Sequence, residues 1–392
     1  MTRSERLTIE AARVWQVPTG WRRAVILELT ASDGTTGIGE AGVAYGTGTG
    51  SAAEMVCDML DRHVIGRPAG SLNAIWHDIY DRGFWVRNGG AIAHAGLSAI
   101  EQALWDMRGN HLGAPVFDLM GGRLRDALPV YANGWWAGCD DPDDFARAGK
   151  ATVARGYAGL KFYPLGLADP VTVVRHPQLR QVEARVLTLA CDRVAALREA
   201  VGPEIEIMLD FGGGLSTDQA LRVLRRLEPF DILFVEEPVD PSAHDAMRQV
   251  AAGTTIPIAA GERFYGRSGF APVLAGGGVS ILQPDVCNTG GLSEARMIAA
   301  MGETANLRVA PHNYGSGIAT AVAVQLSAVI PNFMVLEHFP DFDSEPGFLP
   351  VLDSPLEASV RNGAMPVPEG AGLGVNLNTA ALASHLYAER RA

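Results

Sequence analysis

The sequence predicts an α/β fold, a (β/α) barrel preceded by an α+β capping domain, and three observations carry that expectation. From Val130 onward short apolar runs recur, each closing on a polar residue. Helical segments such as Thr217–Leu227 and Ser293–Ala305 separate them. The polar ends from Asp210 onward lie 26, 26, 23, 27 and 25 residues apart. A strand and a crossover helix repeated at a steady interval make a parallel βα array, and about eight such units close into a barrel.

Taken in order, the first 40 residues read as a β-hairpin: Arg22–Leu29 is a strand, Ser32-Asp33-Gly34 its turn and Thr36–Glu40 the start of the return. Residues 41–50 hold four glycines, a composition that suits a mobile flap. Helical periodicity follows at 51–63, 71–82 and 96–110, where Leu97, Ile100, Ala103, Leu104 and Met107 share a face. The barrel strands are then read at Gly159–Lys161, Ile205–Asp210, Ile232–Glu236, Ile256–Glu262, Ser280–Asp285, Leu307–His312 and Phe333–Glu337. Only the interval from Lys161 to Asp210 is long, 49 residues, and roughly 164–182 is read as an inserted loop. The expected domains are 1–128 (cap), 129–345 (barrel) and 346–392 (a segment returning to the cap).

With 47% hydrophobic and 19% charged residues, the chain is a compact folded protein rather than a disordered one. No apolar run is long enough to span a membrane, and the first ten residues lack the apolar stretch of a signal peptide. The four cysteines, Cys57, Cys139, Cys191 and Cys287, have no CxxC spacing, so neither a zinc cluster nor a disulfide framework is expected and the cytoplasm is the natural compartment. A net charge of −12 excludes nucleic acid and anionic membrane as partners. An acidic small molecule is not excluded, because a bound dication reverses the field inside a pocket.

Chemistry belongs at the C-terminal ends of barrel strands. Those ends carry Lys161, Asp210, Glu236, Glu262, Asp285, His312 and Glu337. Core-facing charges cost several kcal/mol unless paired or metal-bound. Three consecutive strands end in Asp210, Glu236 and Glu262, and converging carboxylates repel unless a cation sits among them. All-oxygen ligation points to Mg²⁺, with Mn²⁺ as the alternative, rather than Zn²⁺. The plainer reading is that one or two of the three simply pair with Arg or Lys. His312 and Asp285 end neighbouring strands, where a carboxylate orients an imidazole and raises its basicity. Lys161 lies on a well-separated strand, so the two flank a bound substrate.

These residues resemble the enolase superfamily, mandelate racemase subgroup, whose barrel is a modified TIM barrel. The resemblance rests on Leu209-Asp210, Val235-Glu236-Glu237-Pro238, Gly261-Glu262-Arg263, Gln283-Pro284-Asp285, Asn288-Thr289-Gly290-Gly291-Leu292 and Ala310-Pro311-His312-Asn313, with Gly37-Ile38-Gly39-Glu40 in the cap. It implies that Asp210, Glu236 and Glu262 bind Mg²⁺ and that the ion grips a substrate carboxylate. It also implies that Glu337, while protonated, donates a hydrogen bond to the other carboxylate oxygen. An α-proton beside a carboxylate is very weakly acidic, so the enediolate needs a dication and fixed donors.

One departure bears on the reaction. Racemases of the subgroup carry Lys-x-Lys on the second barrel strand, whereas this chain has Lys161-Phe162-Tyr163. Tyr163 takes the place of the lysine that acts as base, and a phenol near pKa 10 is a poor one. Lys161 is left as an electrostatic partner of the carboxylate or as the base itself. One strong base, His312 with Asp285, suits β-elimination of water better than racemisation, and Arg263 resembles a feature of acid-sugar dehydratases. The expected activity is therefore dehydration of an acid sugar to a 2-keto-3-deoxy acid, with a racemase, epimerase or cycloisomerase as the alternative. The leaving hydroxyl is protonated by His312 if elimination is syn, and by Tyr163 or Lys161 if it is anti. The expected substrate contacts are the loop Ala44–Gly50, Trp85, Arg87, Arg263 and the pair Trp135-Trp136. The expected partners are a small sugar acid and, in a homo-oligomer, further copies of the chain. A glycosidase needs two carboxylates astride a glycosidic bond, and a hydrolytic metal barrel needs His-rich motifs that are missing here.

Overall fold

The computed structural model describes residues 7–166, 180–340 and 347–392. The cap opens with three antiparallel strands, β1 (Ile9–Thr19), β2 (Arg22–Ala31) and β3 (Thr36–Ala41). The expected hairpin is β2–β3, each strand slightly longer than foreseen, and β1 is an addition. Its period-2 signal is broken where Val14 and Trp15, both buried, meet a register shift against a fourth strand.

Three helices follow: α1 (Thr49–Met59), which continues through a wider turn to Val64, α2 (Leu72–Arg82) and α3 (Gly90–Leu112). They lie where the apolar periodicity placed them, α3 beginning earlier. β3 packs directly on α3, and this accounts for Gly37 and Gly39. A β-carbon on either would fall 2.1 Å from the Ala103 or Ala99 carbonyl oxygen.

Eight parallel strands make the barrel: β4 (Ala127–Ala132), β5 (Gly159–Phe162), β6 (Glu206–Asp210), β7 (Ile232–Glu236), β8 (Ile258–Ala260), β9 (Ile281–Leu282), β10 (Arg308–Val309) and β11 (Leu336–His338). Each pairs with its predecessor from β5 to β10. The ring closes where β11 pairs with β4 and where Val309 bridges to Phe333, ahead of β11. Tyr131, Met208, Phe234, Ala259, Ile281 and Ala310 fill the interior as a separate apolar cluster, so the barrel is plugged by side chains. Of the expected insertion at 164–182, residues 167–179 lie outside the described residues; Arg193 holds the Pro164 and Gly166 carbonyls at its start.

After the barrel, β12 (Ala364–Pro366) pairs antiparallel with β4, and β13 (Leu386–Arg391) joins the cap sheet beside β1. The chain thus returns to its first domain. Polar side chains on α3 also reach the barrel and the segment that follows it. Glu101 accepts from the Leu292 and Ser293 amides, Gln102 donates to the Val286 carbonyl, and Asp106 accepts from the Leu373 amide. Among the described residues no helix is long and apolar enough to cross a membrane.

Candidate active site

The C-terminal ends of the strands, and the one to three residues that follow β5, β8, β9 and β10, bring the strand-end residues together. Lys161, Tyr163, Asp210, Glu262, His312 and Glu337 line a cavity of about 340 Å³ at the C-terminal end of the barrel. Trp21, Tyr45 and Gly46 of the cap form its rim. Glu236 and Asp285 sit just behind the wall, buried and bonded to Lys161 and His312.

The buried Lys161 ammonium lies 2.6 Å from Glu236 Oε2 and 2.7 Å from Glu337 Oε1. Burial alone would make it easier to deprotonate, but Glu236 and Glu337 outweigh burial and hold its pKa well above the ordinary value. Gln283 Nε2 donates to the same Glu236 oxygen at 2.8 Å. On the facing wall His312 Nδ1 is 2.7 Å from Asp285 Oδ2, and Asp285 Oδ1 is fixed by the Cys287 amide. His312 Nε2 points to Glu262 Oε2 at 3.0 Å. Burial opposes protonation of this ring, but Glu262, Asp285 and Glu337 raise its pKa well above 6.5. Burial, then Asp210, push the Tyr163 phenol up, so it keeps its proton.

Glu337 is surrounded by donors. It accepts from Lys161 and Asn133 through Oε1 and from the Asn313 amide through Oε2. Burial raises its pKa, but Lys161 and His312 outweigh that and leave it lowered. In this arrangement Glu337 accepts through both oxygens, and a hydrogen bond from it to a substrate carboxylate, as the resemblance implied, would need it to take up a proton.

Asp210, Glu236 and Glu262 are an all-oxygen donor set on neighbouring strands, with Asp210 in register with Glu236. Glu236 Oε1 is buried without a hydrogen-bond partner. A buried acceptor of that kind needs a cation or a donor, so the donor chemistry fits a hard dication. Among the described residues no three His, Cys, Asp or Glu side chains are grouped as a ready cage. Lys161 takes one oxygen of Glu236, as the plainer reading anticipated, and His312 takes one of Glu262.

Four expected substrate contacts, Arg263, Trp85, Arg87 and Trp135, are not among the residues that line the cavity. Arg263 donates to the fully buried Glu237 through Nε and Nη2 and to the Gly212 carbonyl, compensating a buried charge, and its Nε also lies 3.6 Å from Glu262. Trp85 is 81% exposed on the outer surface of the cap, and Arg87 pairs with Asp81 beside the Tyr80 ring. The segment between α2 and α3 contributes no residue to the cavity lining, although Asn88 lies against Ser268 of the barrel. Trp136 lines the cavity, whereas Trp135 is buried against Phe145 and Phe162 and donates to the Lys161 carbonyl.

Sequence reasoning missed Asn133, Trp21, Tyr314 and Phe339, which also line the cavity. Asn133 directly follows β4 and has the same strand-end signature as the residues that were found. Trp21, at the β1–β2 turn, had no such signature. It meets Tyr45 and Tyr314, and Tyr314 meets Phe339, in an edge-on and tilted aromatic cluster with centroids 4.7–5.9 Å apart.

Comparison with known proteins agrees with this geometry. Residues 13–121 match the mandelate racemase/muconate lactonizing enzyme N-terminal domain, and residues 144–381 match the enolase C-terminal domain-like family. A D-galactonate dehydratase of Ralstonia pickettii (strain 12J) is 33% identical over 95% of this chain and 93% of its own length. A D-gluconate dehydratase of Thermoproteus tenax is 36% identical over 81% of this chain, which spans only 61% of that relative's length. A solved structure from Mesorhizobium loti, provisionally named a dehydratase, superposes with a TM-score of 0.94 at 42% identity, covering 98% of this chain and 100% of that one. Enzymes of this kind are generally metal-dependent. With both domains matched, the barrel closed and the strand-end residues gathered in one cavity, the chain belongs to the mandelate racemase/muconate lactonizing enzyme family of the enolase superfamily and resembles its acid-sugar dehydratases.

Proposed function

We propose that this chain is a Mg²⁺-dependent hydro-lyase that converts an aldonic acid to a 2-keto-3-deoxy acid. The observation that carries the reading is the His312–Asp285 pair, 2.7 Å apart, with Nε2 turned into the cavity. Lys161 and Tyr163 stand on the facing wall. His312 Nε2 takes the α-proton, and Asp285 stabilises the imidazolium that forms. A dication held by Asp210, Glu236 and Glu262 would polarise the substrate carboxylate and offset the negative charge that otherwise keeps His312 protonated. Loss of the 3-hydroxyl as water, with the proton returned by His312 or given by Tyr163, leaves an enol that tautomerises to the keto acid.

The facing wall supports elimination over epimerisation. A second base is needed for inversion, yet Lys161 donates to two carboxylates and Tyr163 retains its proton. The relatives named for D-gluconate and D-galactonate act on aldonic acids. The aromatic rim suits the C–H faces of a polyol chain, and among the described lining residues no arginine awaits a second carboxylate. The unpaired cysteines suit a reducing cytoplasm.

A panel of aldonic and aldaric acids in D₂O with Mg²⁺ tests the reading. Keto-acid formation from an aldonate, abolished by EDTA and restored by Mg²⁺, is expected. His312→Asn removes both dehydration and α-proton exchange, Asp285→Asn weakens both, and Tyr163→Phe costs less, about 10²–10³ in rate. Exchange with inversion and no keto acid makes the enzyme an epimerase. Full activity in excess EDTA ends the metal assignment.

A further inference from the structure

Two cap residues hold the backbone that follows His312. Arg22 opens β2 and Glu40 lies near the end of β3; both are almost completely buried. Arg22 Nη1 donates to the Tyr314 carbonyl at 2.9 Å and to the Gly315 carbonyl at 2.5 Å, with the guanidinium 5.0 Å from the Tyr314 ring centroid. Glu40 accepts from the Ser316 amide at 2.9 Å, the Ser316 hydroxyl at 2.6 Å and the Ala319 amide at 3.1 Å. A cation thus grips carbonyls, and an anion grips amides in the first turn of the helix Gly317–Val329, where the helix dipole favours it. The contacts join residues nearly 300 positions apart in the chain.

We infer that Arg22 and Glu40 are positioning residues, through which the cap sets the placement of the loop bearing His312. Burying two charges is poorly repaid as stability alone, and both residues reach the same barrel loop. That loop carries His312 at its start and Tyr314 on the cavity wall. The next residue, Asn313, is itself tied to Glu337. With its backbone gripped on both sides, the His312 ring keeps Nδ1 on Asp285 and Nε2 toward Glu262. Gly315 belongs to the same fit, since a β-carbon there would fall 2.8 Å from Glu40 Oε1. The proposed metal trio lies on β6, on β7 and just after β8, outside this loop. The inference rests on the reading of His312 as the base.

Three variants of the full chain test it: Arg22→Lys keeps the charge and loses the fork, Glu40→Gln keeps the shape and loses the charge, and Ser316→Ala removes one donor to Glu40, together with the acceptor that caps the Ile318 amide, without burying a charge. The expected result is a kcat about 10²-fold lower for the first two, as a misplaced catalytic group produces, with KM and Mg²⁺ affinity by calorimetry unchanged. A second readout needs no turnover. In protein labelled with ¹⁵N-histidine, the downfield imidazole N–H bonded to Asp285, identified by its absence in His312→Asn, shifts or broadens in every variant that folds. Ser316→Ala carries this readout if the charged variants do not fold. If that resonance and kcat both stay at wild-type values, the inference is overturned. It is also overturned if Mg²⁺ affinity falls in step with kcat, which would mean general loosening. If wild type dehydrates no acid sugar, the proposed function fails while the resonance still decides whether the cap places His312.

Discussion

Glu337 and His338 are neighbours on β11 and face opposite ways. Glu337 turns into the barrel, where Lys161, Asn133 and the Asn313 amide use its oxygens. His338 turns outward, bonds the Tyr157 hydroxyl at 2.8 Å and stacks on its ring. Burial, and then Arg155, lower the His338 pKa to about 4. In the unfolded chain the ring titrates near 6.5. Above pH 6.5 both states are neutral and the contact contributes fully. Between 6.5 and 4 only the unfolded chain binds the proton, so stability falls as pH falls. The loss amounts to something on the order of 3 kcal/mol across the window. Urea midpoints at pH 7 and pH 5 for wild type and His338→Phe check this. Wild type should lose stability relative to the variant on acidification, and parallel losses would sink the assignment.

Along elements, the closest fit in the cap is β3 against α3. Gly39 allows β3 to lie on the α3 backbone, and a β-carbon there meets the Ala99 carbonyl oxygen at 2.1 Å. A backbone atom inside a 23-residue helix cannot step aside as a side-chain tip does. Gly39→Ala is therefore expected to destabilise by about 3 kcal/mol. Gly50, in the first turns of α1, has no atom within 4 Å of its virtual β-carbon. Gly50→Ala should be neutral or stabilising by about 0.5–1 kcal/mol, through helix propensity alone. Chemical denaturation of both variants compares the two; equal effects would show that the β3–α3 contact has room to spare.

Across the whole molecule, cap and barrel cannot be treated as separable. The cavity rim includes Trp21 and Tyr45, the loop after His312 is held by Arg22 and Glu40, and α3 places Glu101, Gln102 and Asp106 on backbone groups of the barrel half. The last strand returns to the cap sheet beside β1. A fragment of residues 129–392 would expose these polar groups and the apolar faces around them. It should fail to turn over substrate, and adding residues 1–128 in trans should restore part of the rate. A fragment that works at the full-length rate would show that the cap has no part in the site.

The sequence alone determined the repeating βα units, the order of the strands and the polar residue at the end of each. Period-2 alternation and a steady interval are local properties, so Asp210, Glu236, Glu262, Asp285, His312 and Glu337 were legible as one set, and the lysine-to-tyrosine change at 163 as a departure. Tertiary structure decided what those residues touch. Lys161 between two carboxylates, Glu337 as acceptor and Arg263 paired with Glu237 depend on side chains from strands 26 to 176 residues away. It also decided the cap's share of the site. Trp85 and Arg87 looked like pocket residues because a Trp and an Arg suit a sugar acid, but Trp85 is exposed and Arg87 pairs with Asp81. Trp21 and Arg22 gave no local signal and Glu40 was read only as part of a cap motif, because a hairpin tip and two strand charges acquire their roles only when the sheet is laid against the barrel. Composition and spacing record what a segment will become, while the direction in which its side chains point is set by the surface it is packed against.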